Sequence, residues 1–172
     1  MEKQLSILMA APRQVKASVK PKSIKIFIDG ASRSNPGPAG AGVYIECNGE
    51  EVLSQSAYLG KKTNNQAEYL ALILGIYLFK IEYEEPPYEI IIVSDSELLV
   101  KQMLGQYKIK DKTLRKLQML ASNLLEGIFC KFNHVLRINN KKADKLANIA
   151  IDEKVEAPKE FISIINQEDI RL

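Results

Sequence analysis

The segment QAEYLALILGIYLFKIEY (66–83) is the strongest constraint on how this 172-residue chain can fold. It contains no proline, is too long for a strand and is apolar on nearly all sides, so it must form a helix packed deep in the molecule. Thr63, Asn64 and Asn65 stand just before it as N-caps. Beyond Pro86-Pro87 comes YEIIIVS (88–94), a continuous apolar run of the kind found in strands buried on both faces of a parallel sheet. Together the two segments call for a layered α/β domain.

The other elements fall into place around this pair. Ile24, Ile26 and Ile28 alternate with Lys25 and Phe27 in a strand that runs into Asp29-Gly30. The loop ASRSNPGPAG follows, then strand candidates Ala41–Cys47 and Glu51–Leu59 joined by Asn48-Gly49, a strong hairpin signal. Ser96 caps a helix to about Gly105, and Gln106–Lys110 links it to a helix over 111–126. Ile128–Ile138 reads as a fifth strand, and Asn140 opens the final helix KKADKLANIAID. The order is βββαβααβα, a five-stranded mixed sheet flanked by helices. Residues 1–22 read as a flexible basic arm, 23–151 as the folded domain and 152–172 as a tail with weak local structure.

Composition excludes several classes. No apolar run reaches the roughly 18 residues of a membrane span. Cys47 and Cys130 form no CxxC pair, which argues against a disulfide scaffold or Cys-based zinc site and favours a reducing, cytoplasmic setting. The formal charge of +3 hides a division along the chain: net +4 over residues 1–22, −6 over 23–100, +8 over 101–145 and −3 over 146–172. An acidic half followed by a basic one suits a cation site beside a polyanion-binding surface, and equally suits lysine-rich solvated helix faces.

Four acids sharpen the first reading. Asp29 closes the first strand and Asp95 the fourth; if those strands are parallel neighbours, both carboxylates emerge at the carboxyl edge of the sheet, where α/β folds place ligands. Glu68 lies early in the long helix and Asp144 early in the last one. Clustered carboxylates repel unless a cation joins them, and oxygen donors without His or Cys select Mg²⁺ or Mn²⁺ over Zn²⁺. Any one of these acids, taken alone, reads as well as a turn former.

The blocks IFIDGASRSNPGPAG, TNNQAEYLAL, VSDSELLVKQ and HVLRINNKKADKLAN occur in that order over residues 23–151. In this the sequence resembles the type 1 ribonuclease H family. The resemblance implies a ribonuclease H-like fold, with Asp29, Glu68, Asp95 and Asp144 as catalytic carboxylates holding two Mg²⁺ ions, for which Mn²⁺ can substitute. It also implies hydrolysis of the RNA strand of RNA–DNA hybrids, leaving 3′-hydroxyl and 5′-phosphate ends. Strand ends are rigid supports, so Asp29 and Asp95 suit shared ligands, and Asp144 suits a more mobile one. Gly30, Asn35, Asn64 and Asn65 match family positions on the minor groove or sugar-phosphate backbone, where the 2′-hydroxyl marks RNA. Thr63 matches a phosphate-pocket position for the DNA strand. All five residues also suit plain turn and cap chemistry.

Departures from the family pattern place the chain in its compact, archaeal-like branch. The short 106–110 linker leaves no room for the basic protrusion of many bacterial members, and the chain has no tryptophan. Hybrid grip then falls to Lys101, Lys108, Lys110, Lys112, Arg115 and Lys116. Glu97 replaces a common glutamine. His134, the only histidine, is expected to be packed or capping in the fifth strand. Arg137 matches an arginine that assists catalysis in that branch, and Asn140 matches a family asparagine near the last acid, which the resemblance makes a substrate contact. The expected partner is an RNA–DNA hybrid, with double-stranded RNA a second candidate, and the expected enzyme is a monomer without membrane attachment. Two alternatives are a catalytically inactive hybrid- or RNA-binding module and a transposase, integrase or exonuclease on the same fold.

Overall fold

The protein was analysed as a computed structural model, which describes residues 23–83 and 89–168. The expected basic arm, the Pro86-Pro87 break and the last four residues lie outside the described residues. The strands are β1 (Ser23–Ser32), β2 (Gly37–Cys47), β3 (Glu50–Lys62), β4 (Glu89–Ser94) and β5 (Phe129–His134). The helices are α1 (Asn64–Glu82), α2 (Glu97–Met103), α3 (Lys112–Leu124), α4 (Lys141–Glu153) and α5 (Lys159–Gln167). No helix among the described residues is long and apolar enough to cross a membrane.

The sheet order is β3-β2-β1-β4-β5, with β1, β2 and β3 antiparallel and β1, β4 and β5 parallel. Asn48 and Gly49 both take positive φ in the β2–β3 turn, as the Asn-Gly signal predicts. The long helix forms as the sequence requires. Thr63 caps it in a reciprocal box with Gln66, and eleven of its residues, from Ala67 to Phe79, are buried. On β1, Ile24, Ile26 and Ile28 are buried; Ile26 and Ile28 approach Gly75 of α1. The opposite face, carrying Asp29 and its cross-strand partner Gly42, receives α4.

The strands around the first hairpin extend further than expected. Ala31 and Ser32 continue β1 and β2 begins at Gly37, so only residues 33–36 remain of the loop read as ASRSNPGPAG. The small residues there serve packing. A Cβ on Gly42 would lie 2.2 Å from the Ala143 carbonyl oxygen, and one on Gly40 would lie 2.5 Å from that of Ala147. β5, in contrast, is shorter than the expected Ile128–Ile138. Its neighbour β4 ends at Ser94, paired with His134, and after Val135 N–H donates to Ser94 O no strand partner remains among the described residues.

The weak structure expected over 152–172 is also corrected. α4 reaches Glu153, and α5 buries Phe161 and Ile165 completely in the main core. Pro158 precedes a segment whose apolar residues recur at helical spacing, a start signal that sequence inspection passed over. Truncating Ile165 to alanine is expected to destabilise the protein by about 2–4 kcal/mol in equilibrium urea unfolding, as for other buried aliphatic truncations. A loss under about 1 kcal/mol would mean that α5 is not part of the cooperative core.

Candidate active site

Register brings the acids together. β1 pairs with β4 only as far as Phe27↔Val93, so Asp29 and Asp95 both lie just beyond the last parallel pair, although β1 itself continues to Ser32 along β2. Gly30 lets α1 descend onto β1 at this point, which delivers Glu68 from the opposite face; a Cβ there would lie 2.1 Å from the Ala67 carbonyl carbon. Ligand oxygens of Asp29, Glu68 and Asp95 all lie within 4.8 Å of one another. Together they line a cavity of about 370 Å³ with Gly30, Asn64 and Arg137.

The cluster is electrostatically unfavourable by itself. Burial, followed by repulsion from Asp95 and Asp144, raises the Asp29 carboxyl to about 7. Glu68 is pushed well above the usual carboxylate range by burial and then by Asp29 and Asp95; the Gly30 N–H and Arg137 oppose this only in part. Oε2 of Glu68 is buried and has no hydrogen-bond partner among the described residues. Closely set oxygen donors, one of them orphaned, fit a hard divalent cation.

Asp144 stands beside this group, in the first turn of α4, and accepts a bond from Arg137 Nη2 at 2.5 Å. Arg137 lies on a 3₁₀ turn (Arg137–Asn139) rather than in the strand expected around it. The carboxylate raises the guanidinium pKa, chiefly through the hydrogen bond, so it stays a cation. Asn140 is fully buried. Its amide donates to Ile28 O and to Asp95 Oδ1, both at 2.8 Å, which ties the start of α4 to β1 and orients Asp95. That placement fits a positioning group rather than a contact with substrate.

Of the remaining residues singled out in the sequence, Gly30 and Asn64 line the cavity and the others lie outside it. Asn64 Oδ1 accepts from Ser32 N–H at 3.1 Å, and Asn35 Oδ1 accepts from Asn64 N–H at 3.0 Å. These bonds clasp the β1–β2 loop to the start of α1, and Thr63 acts as the helix cap, so turn and cap chemistry is present at all three. Asn65 is exposed beside them. His134 ends β5 exposed to solvent, neither packed nor lining the cavity. Lys101 pairs with Glu97 and Tyr107 on α2 and its following loop, and Lys108, Lys110, Lys112, Arg115 and Lys116 are exposed. Sequence inspection missed four cavity-lining residues, Ala31, Ser32, Arg33 and Asn148. Asn148 follows Asp144 at i+4, a spacing that could have revealed it, whereas Arg33 in the loop carried no local signal.

Residues 27–150 match a protein family described as reverse transcriptase-like. The chain is 36% identical over 158 residues to "Ribonuclease HI" of Halobacterium salinarum, which spans 87% of this chain and 76% of that protein. It is 40% identical over 134 residues to "Bifunctional protein Rv2228c" of Mycobacterium tuberculosis, spanning 75% of this chain but only 35% of that one. A crystal structure of LC11-RNase H1 in complex with an RNA/DNA hybrid superposes with a TM-score of 0.73 at 38% identity, covering 76% of this chain and 98% of that one.

Proposed function

Since the chain belongs to the type 1 ribonuclease H family, in its compact archaeal-like branch, we infer that it is an endonuclease that hydrolyses the RNA strand of RNA–DNA hybrids and leaves 3′-hydroxyl and 5′-phosphate ends. The observation that carries this reading is the convergence of Asp29, Glu68 and Asp95 within 4.8 Å, with Asp144 beside them. These four carboxylates would hold two Mg²⁺ ions, with Mn²⁺ able to replace them. Such a pair, when bound, supplies an activated water and stabilises charge on the leaving oxygen.

The chain's own groups do the positioning. Asn140 fixes the Asp95 carboxylate, the Gly30 N–H holds one oxygen of Glu68, and Arg137 restrains Asp144 while adding positive charge where a phosphodiester must approach an acidic site. Gly30, Asn35, Thr63, Asn64 and Asn65 form the rim on which the hybrid's backbone and minor groove would rest. Their internal hydrogen bonds preorganise that rim.

The test is cleavage of matched RNA–DNA hybrid, double-stranded RNA and DNA duplexes with Mg²⁺ and Mn²⁺ titrated separately. RNA-strand cleavage of the hybrid with 5′-phosphate products is the expected result. Tight hybrid binding with no cleavage under any metal would overturn it in favour of a binding module. That alternative leaves unexplained why a pure binder would bury mutually repelling carboxylates against a polyanion.

A further inference from the structure

We propose that Arg33 binds a backbone phosphate of the hybrid next to the cleavage site, and that Asp152 on α4 positions its guanidinium for that contact; this rests on the reading above. Arg33 lines the same cavity as Asp29, Glu68 and Asp95. Its Nη2 donates to Asp152 Oδ1 at 2.5 Å across 119 residues of sequence. The side chains of the pair remain 47% and 62% exposed, so the contact is a surface ion pair of little worth to the fold. That bond uses one of the guanidinium's five donors, and a planar fork with donors to spare matches the oxygens of a phosphodiester.

The loop beneath the side chain is held far more firmly than the side chain itself. Arg33 N–H donates to Pro38 O at 2.9 Å and Ser32 Oγ to Lys62 O at 2.9 Å, and the Asn35–Asn64–Ser32 clasp secures the same turn to α1. A rigid backbone therefore presents a cation whose side-chain ion pair with Asp152 is exposed and exchangeable. Preorganisation of this kind lowers the ordering cost of binding.

Helix α4 supplies a second line of argument. Asp144, Asn148 and Asp152 recur at four-residue spacing, which sets them on one ridge, with Asn148 also lining the cavity. Arg137 is tied to the first of these acids and Arg33 to the last. At 1.5 Å per residue the two acids stand about 12 Å apart along the axis. Two arginine–carboxylate couples thus bracket a strongly acidic cavity, where an approaching nucleic-acid strand meets like charge and needs cations beside its phosphates. Arg137 answers that need at one end of the ridge. Arg33 answers it at the other.

The experiment compares the full-length wild type with Arg33→Ala, Arg33→Lys, Asp152→Asn and the Arg33→Ala/Asp152→Asn double variant. Steady-state cleavage of a short hybrid is measured in Mg²⁺, and its dissociation constant in EDTA across a salt series. Arg33→Ala is expected to raise KM about tenfold with kcat within about twofold, and to flatten the slope of log K against log salt by about 0.9, the value for one lost phosphate contact. Arg33→Lys keeps the slope and loses about threefold in affinity, because the point charge remains and the fork does not. Asp152→Asn weakens binding about threefold in the wild-type background and has no further effect once Arg33 is alanine. Thermal melts establish that the variants are folded; if Arg33→Ala fails to fold, the lysine variant and Asp152→Asn carry the test.

An unchanged KM and salt slope in Arg33→Ala would overturn the assignment, and an Asp152→Asn effect of equal size in both backgrounds would overturn the positioning role. Failure of the functional reading looks different, since the wild type itself would then not cleave the hybrid.

Discussion

Replacing Asp29 with asparagine is expected to abolish hybrid cleavage, by at least about three orders of magnitude, while making the metal-free protein more stable at neutral pH. The first effect follows from removing a carboxylate at the centre of the cluster. If the site supplies several kcal/mol of charge stabilisation, each 1.36 kcal/mol lost costs tenfold in rate. The second follows from the Asp29 carboxyl, raised to about 7 by burial and by Asp95 and Asp144. Between its ordinary value near 4 and 7, folded Asp29 keeps a proton that the unfolded chain has released. The folded state therefore loses stability as pH rises through that window, on the order of a few kcal/mol, and the loss is complete above 7. Glu68, shifted in the same direction, adds to the trend.

Wild-type melts in EDTA should fall in midpoint between about pH 4.5 and 7.5, and Asp29→Asn should fall less. Added Mg²⁺ should stabilise the wild type more at pH 7.5 than at pH 5. Cleavage surviving the substitution would remove Asp29 from the site, and a wild-type midpoint that rises over the same range would contradict the electrostatic account.

Gly30→Ala is expected to reduce kcat about 100-fold and to destabilise the fold by about 3 kcal/mol. The new methyl would lie 2.1 Å from the Ala67 carbonyl carbon and 2.2 Å from the Glu68 nitrogen, both backbone atoms that no rotamer change can move. Overpacking of this kind costs on the order of 1–3 kcal/mol, and a rigid backbone neighbour places this position at the upper end. α1 must retreat, and with it Glu68, which also loses the geometry of its bond from the Gly30 N–H. Displacement of a site group by about 1 Å typically costs 100-fold in rate. Urea unfolding and single-turnover cleavage read the two effects separately. Wild-type activity in the alanine variant would mean that α1 does not need its present height above β1.

Much of this site was legible in the sequence, for identifiable reasons. The long helix announced itself by its apolar surface, and its cap by Thr63, which the structure selects over Asn64 and Asn65. Asp95 sits at the end of an apolar strand whose neighbours are parallel, so its edge position followed from pattern alone. Gly37 and Gly40 misled because glycine and proline signal turns locally, whereas here Gly40 admits a helix that arrives more than a hundred residues later. α5 was missed because nine residues with a modest apolar face gain their stability from the core they join, not from their own propensity. Arg33 illustrates a harder limit. Its relation to Asp152 spans 119 residues and depends on how α4 lies across β2, which no local pattern encodes.

The seam between α4 and β2 also bears on how such a site can diverge. Ala143, Ala147 and Ala150 on the helix face Gly40 and Gly42 on the strand, so both sides are already at their smallest practical size. Neither surface can change by one residue at a time without a compensating change opposite. The 3₁₀ turn at Arg137–Asn139 is free of that mutual constraint, since Leu136 and Ile138 are 70% and 64% exposed. Variation among descendants of this protein should therefore accumulate at Leu136 and Ile138 around Arg137, while the helix carrying Asp144 stays nearly fixed.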